Sequence, residues 1–321
     1  LTRSSAASDV YKRQNINSVT GMDLRYRNSS TTEDIIEGNI WYQSSTNDYA
    51  MSDEDAFGIS LSKPSPRGFR GLLQYQNVGK NFNPALGFVS RRDVELYRGI
   101  LGYVKQLDDH PYIRKIYSGA DTAYWNLKGL NKLQSYTQFY RLLDVEYHSG
   151  DKFNISYVRF GEGIYSENNQ PFSNLDIVLP EREYHWDRYG IYFRSSKSRS
   201  IDFKFNYYIG DYYTGTRDSG SIDLGYRPRP GLDFSIDYNY WDVDLPEGSF
   251  NLRQLDAKFS WNLSDYLSWV NVIQYDNISK SLGFNSRIHW TKKAGENLYL
   301  VFTNNYFEID EANSRDFELI S

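Results

Sequence analysis

Ile201-Asp202-Phe203-Lys204-Phe205-Asn206-Tyr207 alternates without a break: Ile, Phe, Phe and Tyr fall on one side of an extended chain, and Asp, Lys and Asn on the other. Successive side chains of a strand point to opposite faces, so a period of two marks a β-strand with one apolar and one polar side. The same two faces recur at residues 222–226, 234–240, 255–261 and 282–290, and more loosely back to Val19. No window of comparable length carries an apolar stripe at helical spacing. The expected fold class is all-β.

Composition narrows what such strands can build. The 321 residues are 24% charged and 40% hydrophobic, and the mean hydropathy of -0.66 leaves no apolar run long enough for a membrane helix. Cysteine is absent, which excludes disulfides, thiolate-held metals and thiol nucleophiles together. Aromatic residues make up 17% of the chain, with 29 Tyr, 18 Phe and 7 Trp. A net charge of -5 and the lack of any Lys/Arg-rich run give no electrostatic footprint for nucleic acid.

The links between strands carry the next step. Turn-rich links that read as short lie near residues 29–34, 63–68, 107–111, 149–152, 195–199, 228–231, 263–266 and 292–297. They alternate with generally longer links at 46–53, 77–91, 127–133, 161–182, 210–219, 243–250, 276–281 and 305–314. Short turns on one side and long loops on the other are the habit of outer-membrane barrels. About 16–18 strands can be read, more than the roughly ten at which an open sheet stops without closing or splitting. The expectation is therefore an up-and-down antiparallel transmembrane β-barrel at the bacterial outer membrane. If the short links are periplasmic, residues 19–28 run inward and residues 315–321 begin outside, so both ends read as truncated. Residues 1–14 (LTRSSAASDVYKRQ) resemble translated sequencing-adaptor read-through and lack a signal-peptide core, which sets them apart from a partial barrel domain at 15–321.

The stretch Phe82-Asn83-Pro84-Ala85-Leu86-Gly87-Phe88-Val89-Ser90-Arg91-Arg92-Asp93, followed by Tyr97 and Leu101-Gly102-Tyr103, resembles the FNPxxGFVxRxD signature of an uncharacterised outer-membrane barrel family. Further matches in order include Gly210-Asp211-Tyr212-Tyr213-Thr214-Gly215-Thr216, Leu245-Pro246-Glu247-Gly248-Ser249-Phe250 and Ile288-His289-Trp290. The resemblance covers most of the chain from about Gly21. It implies a barrel that follows a domain similar to the family-nine carbohydrate-binding module, and it implies no chemistry. Where relatives tend to have Gly, this chain has Glu181-Arg182-Glu183 before Tyr184.

Candidate residues follow from the two faces. If Ile201, Ile222, Ile236, Leu255 and Leu282 meet lipid, then Asp202, Lys204, Asn206, Asp223, Asp237, Asp256, Lys258, Asn285 and Arg287 point into the lumen, where they can contact a solute such as an oligosaccharide. Tyr212, Tyr213 and Tyr306, read as external-loop residues, are placed to stack on sugar rings. Trp41, Tyr42, Trp125, Trp186, Tyr240, Trp241, Trp261, Trp269 and Trp290 read as interfacial girdle residues in contact with outer-membrane lipid. The four histidines, His110, His148, His185 and His289, form no ligand motif, so no metal or cofactor is expected. The acidic run around Asp48, Asp53, Glu54 and Asp55 reads as a solvated loop rather than a Ca²⁺ site. The competing functions are a surface hydrolase that uses rim carboxylates such as Glu162 or Asp211 with a nearby His, and a structural anchor for an upstream carbohydrate-binding domain.

Overall fold

The computed structural model of the chain describes residues 17–28, 35–47, 52–85, 87–130, 132–166, 170–293 and 295–307. Residues 1–14, the link read at 29–34, Asp48 and residues 315–321 lie outside these. Among the described residues sixteen strands follow one another in a single sheet: β1 (Asn17–Asn28), β2 (Ile36–Asn47), β3 (Asp55–Lys63), β4 (Gly68–Val78), β5 (Val94–Gln106), β6 (Ile113–Leu127), β7 (Lys132–Tyr147), β8 (Lys152–Ile164), β9 (Arg182–Arg194), β10 (Ile201–Tyr212), β11 (Gly215–Arg229), β12 (Leu232–Leu245), β13 (Gly248–Ser264), β14 (Leu267–Asp276), β15 (Ser281–Lys293) and β16 (Glu296–Phe307). Every strand is antiparallel to the next, and no connection crosses over. Among the described residues the helical structure is one 3-10 turn at Ser173–Leu175, and no helix is long and apolar enough to cross a membrane. Strands run from 9 residues in β3 to 17 in β13, at or above the ~9–11 that a tilted strand needs to cross a bilayer. β1 and β16 do not pair with each other, so the sheet as described is not closed.

The period-two expectation holds along most of the wall and slips at bulges such as those between Tyr117 and Gly119 on β6 and between Arg141 and Leu143 on β7. On β8, Asn154, Ser156 and Val158 are buried while Ile155 is exposed, and on β9, Tyr184, Trp186 and Arg188 are buried between exposed His185 and Tyr189. With no helix or second sheet among the described residues to cover it, the buried face is the inner side of a curled wall. The outer side is apolar and open. Leu224, Ile236, Ala257, Ile273 and Phe284 stand directly opposite one another across β11–β15 and form its central row. Toward the short-turn end, Trp261 faces Trp269, and Trp290 faces Leu267; toward the loop end lie Tyr240, Tyr275 and Tyr306.

Four of the nine expected girdle residues face inward instead. Trp41 fills the space that a Cβ on Gly58 would take, Trp125 lies under Arg91 with its ring centre 4.7 Å from the guanidinium, Trp186 is 7% exposed, and Trp241 stands opposite buried Ser219. Proximity to a strand end marks the height of a ring along the wall. It does not mark the face, which is set by register.

The sorting of links also needs correction. Long loops do occur at residues 79–93 and 165–181, but only Tyr213 and Thr214 separate β10 from β11, and only Pro246 and Glu247 separate β12 from β13. Gly and Thr in residues 210–216 imitate a loop, whereas the ladder runs on to the pair Tyr212↔Gly215. Gly215 is required there for a different reason: a Cβ would come within 2.0 Å of the Asp244 carbonyl oxygen on β12. The signature stretch at 82–93 is a rim tie. The Asn83 carbonyl accepts from Asn17 Nδ2 at 2.7 Å, Arg91 donates to Gln134 and Ser135 at 3.0 and 2.6 Å, and the Asp93 carbonyl accepts the Lys128 N–H at 2.9 Å. One loop thus joins β1, β7 and the turn after β6. In the acidic run, the Lys128 ammonium beside Asp53 holds that carboxyl below the usual carboxylate range.

At the short-turn end, Asp151 ties two turns together. Arg199 donates to both of its oxygens at 2.5 and 2.7 Å, the Ser196 N–H donates at 2.8 Å, and Ser149 Oγ at 2.7 Å. The Arg199 guanidinium, above all, holds the Asp151 carboxyl well below the ordinary range. A carboxyl depressed in the folded state stabilises the fold above its unfolded pKa of about 4, and that contribution is lost as pH falls through the folded value. Denaturant midpoints measured from pH 5 downward are expected to fall more steeply for the wild type than for Asp151→Asn. Parallel curves would remove Asp151 from this account.

Candidate functional site

The inner face holds two chemically distinct zones. The first lies midway along the strands. Lys204, Asp223, Asp237, Asp256 and Gln274 stand directly opposite one another on β10 to β14. Lys204 Nζ lies 2.6 Å from Asp223 Oδ2, and Gln274 Nε2 donates to Asp256 Oδ1 at 2.8 Å. One rung toward the loop end, Asn206 Nδ2 donates to Ser221 Oγ at 2.5 Å. One rung toward the turns, Asp202, Lys258 and Asn285 share a line; Arg227 donates to Asp202 at 2.6 Å and Asn285 donates to Thr303 Oγ1 at 2.7 Å. Arg287 lies one rung further, opposite Val270. All nine expected lumen residues therefore share the inner face, spread over adjacent rungs of one wall.

Register extends this row to residues that single-strand reading misses. Lys204 stands opposite Arg194, Arg194 opposite Lys152, and Lys152 opposite Glu146. Glu146 is held by Lys115 and Lys152, each at 3.0 Å, and by Arg114 at 3.0 Å. No local signal in the sequence marks Arg194 as part of this site, because its neighbours come from other strands.

The second zone lies at the loop end and is apolar. Residues 170–181, after β8, fold onto the inner face, where Phe172, Ile177 and Leu179 pack with Ile164, Tyr184, Trp186, Tyr212, Val243 and Leu245. Gln170 fastens this loop by accepting the Leu179 N–H at 2.8 Å and donating to the Leu179 carbonyl at 3.0 Å. The contacts reach β13, where the Phe172 and Phe250 ring centres are 5.3 Å apart. Beneath them Arg188, 2% exposed, donates from Nη2 to the Tyr208 and Arg217 carbonyls and to Ser219 Oγ at 2.8, 2.9 and 2.9 Å. Arg217 lies 4.0 Å above the Tyr212 ring centre and 4.7 Å from that of Trp241. Buried guanidiniums here rest on aromatic faces and carbonyls in place of carboxylates.

This arrangement alters the expected setting of three residues. Tyr212 ends β10 and is buried; Tyr213 occupies a tight turn, half-buried, with its hydroxyl donating to Glu162 Oε2 at 2.5 Å; Tyr306 lies on β16. Burial first, and the Glu162 carboxylate second, push the Tyr213 phenol far above the ordinary tyrosine range. Tyr212 and Tyr306 thus lie on strands, and Tyr213 lies in a two-residue turn at the loop end in place of a longer loop. Glu162 and Asp211 lie on opposite faces, because Glu162 belongs to the inner series of β8 whereas Asp211 alternates with inward-facing Tyr212. Each histidine has a local partner: His110 Nδ1 accepts the Ile113 N–H at 2.8 Å, His148 Nε2 lies 3.0 Å from the His110 carbonyl, His185 stacks on Tyr136, and His289 stacks on Tyr299.

No family model matches the chain, and no curated protein matches it. Among solved structures it is similar to a mutant of the ferric enterobactin receptor from Pseudomonas aeruginosa, with a TM-score of 0.50 and 12% identity over 92% of this chain and 57% of that one. The chain thus spans little more than half the length of that receptor. At this identity the likeness carries the fold alone. With the strand order and the two faces described above, it identifies the chain as an up-and-down antiparallel wall of the outer-membrane β-barrel type.

Proposed function

We propose that the chain is the wall of an outer-membrane β-barrel whose inner face binds or passes a polar solute, an oligosaccharide being the class first considered. The observation that carries this reading is the division of faces: an apolar outer band bounded by Trp261, Trp269 and Trp290 at one end and by Tyr240 and Tyr275 at the other, backed by an inner row of charged and amide side chains. A charge facing lipid at mid-bilayer costs ~2–4 kcal/mol, so charges confined to one side need water, or a solute, on that side. Outer-membrane lipid is the partner of the other side.

Refolded protein in a planar bilayer is expected to show stepwise conductance that maltooligosaccharides reduce. Absence of conductance would remove the passage reading, and conductance indifferent to sugars would remove the oligosaccharide. One observation favours a second reading, a barrel that anchors an upstream domain and passes nothing: residues 170–181 already line the inner face at the loop end. That reading expects a silent bilayer.

A further inference from the structure

One row of the inner wall, which crosses β11–β13 midway and meets β8 and β9 at their short-turn ends, is segregated by sign. Lys152, Arg194 and Lys204 occupy three consecutive places, and Asp223, Asp237 and Asp256 the next three. Directly opposed side chains on neighbouring strands have Cβ atoms about 4.5–5.5 Å apart, and like charges at that distance destabilise the pair. Several of the outer members have partners: Lys152 pairs with Glu146, Lys204 with Asp223, and Asp256 accepts from Gln274. The centre of each run has none. Among the described residues, Arg194 and Asp237 make neither an ion pair within 4.0 Å nor a side-chain hydrogen bond, although Lys258 stands diagonal to Asp237 on the same face. Each is half-buried and flanked on both sides by its own sign. They lie three inter-strand steps apart, about 14 Å at ~4.8 Å per step.

We propose that this row is a bipolar binding track for a linear zwitterionic solute, whose cationic end meets Asp237 and whose anionic end meets Arg194. The inference rests on the reading that the inner face meets solute, and it names the class of that solute. A neutral sugar neutralises neither centre, and a singly charged ion neutralises one. An extended chain of four residues spans roughly 13–14 Å at ~3.3–3.6 Å each, which matches the separation. Both centres are then relieved by one molecule.

The test uses the full chain refolded in detergent micelles, titrated calorimetrically at low ionic strength with tetraglycine and with its N-acetylated, C-amidated form. Free tetraglycine is expected to bind about tenfold more tightly than the capped peptide, a difference of about 1.4 kcal/mol. Arg194→Gln and Asp237→Asn are each expected to reduce that preference at least about fivefold, and added salt is expected to weaken binding of the free peptide alone. Equal affinity for the two peptides, no binding of either, or an unchanged preference in both variants overturns the proposal. Bilayer conductance separates this from the broader reading: a conducting barrel indifferent to peptide charge keeps passage and loses the track. Selective binding by a non-conducting barrel keeps the track and loses passage. The comparison of the two peptides on the wild type holds even if a variant fails to refold.

Discussion

Ile236→Arg is expected to lower the unfolding free energy in a bilayer by about 2–4 kcal/mol, while Asp237→Asn, one residue along, leaves it unchanged or raises it by about 0.2–1 kcal/mol. Ile236 lies in the middle of the outer row, between Leu224 and Ala257, and an arginine there faces hydrocarbon at the depth where the cost is greatest. Asp237 faces inward between Asp223 and Asp256, so removing its charge takes away two like-charge contacts and breaks no ion pair or hydrogen bond among the described residues. Denaturant titration in phospholipid vesicles, followed by tryptophan fluorescence, measures both. The contrast matters more than either value, since a soluble sheet with one wet face tolerates Arg at Ile236 about as well as any surface site. A wild-type midpoint for Ile236→Arg, or equal damage from both variants, would falsify the assignment of faces.

That contrast was legible in the sequence, because alternation is a property of one strand at a time. Ile236 and Asp237 take opposite sides whatever lies beside them, and so do all nine inner residues from Asp202 to Arg287. Register was not legible. It depends on how many residues each turn consumes, and residues 210–216 show how this misleads: Gly, Thr and Asp have the chemistry of a loop, yet the ladder continues to Tyr212↔Gly215 and leaves two residues to turn. Without register, Arg194 and Lys152 could not be set beside Lys204. Trp41, Trp125, Trp186 and Trp241 could likewise be assigned a height but not a side. The inward fold of residues 170–181 was the least visible feature. Phe172, Ile177 and Leu179 follow no strand period, and their partners lie as far away as β12 and β13.

Phe172→Ala is expected to release that loop while leaving the wall intact. The ring is 6% exposed, with ring-centre distances of 5.8 Å to Tyr212, 5.6 Å to Tyr213 and 5.3 Å to Phe250. Truncating a buried Phe to Ala typically costs about 3–5 kcal/mol. Where that cost falls depends on what else holds each part. The wall is tied by fifteen antiparallel ladders that do not involve Phe172. The loop has the Gln170 clamp, the packing of Leu175, Ile177 and Leu179, and one hydrogen bond from Tyr184 Oη to the Pro180 carbonyl at 2.6 Å, far less than the ladders, so local opening becomes cheaper than global unfolding. Amide exchange at Ile177 and Leu179 is therefore expected to accelerate by roughly two to three and a half orders of magnitude, at one order per 1.4 kcal/mol, while the strands of β9–β13 exchange as before. In the bilayer the same variant is expected to conduct more than the wild type, since the released segment no longer lines the inner face at the loop end. Unchanged exchange at Leu179 would mean that the aromatic contacts do not hold the loop. Faster exchange throughout β9–β13 would mean that the loop stabilises the wall itself, and in that case the two-residue turns at Tyr213–Thr214 and Pro246–Glu247 depend on the cover it provides.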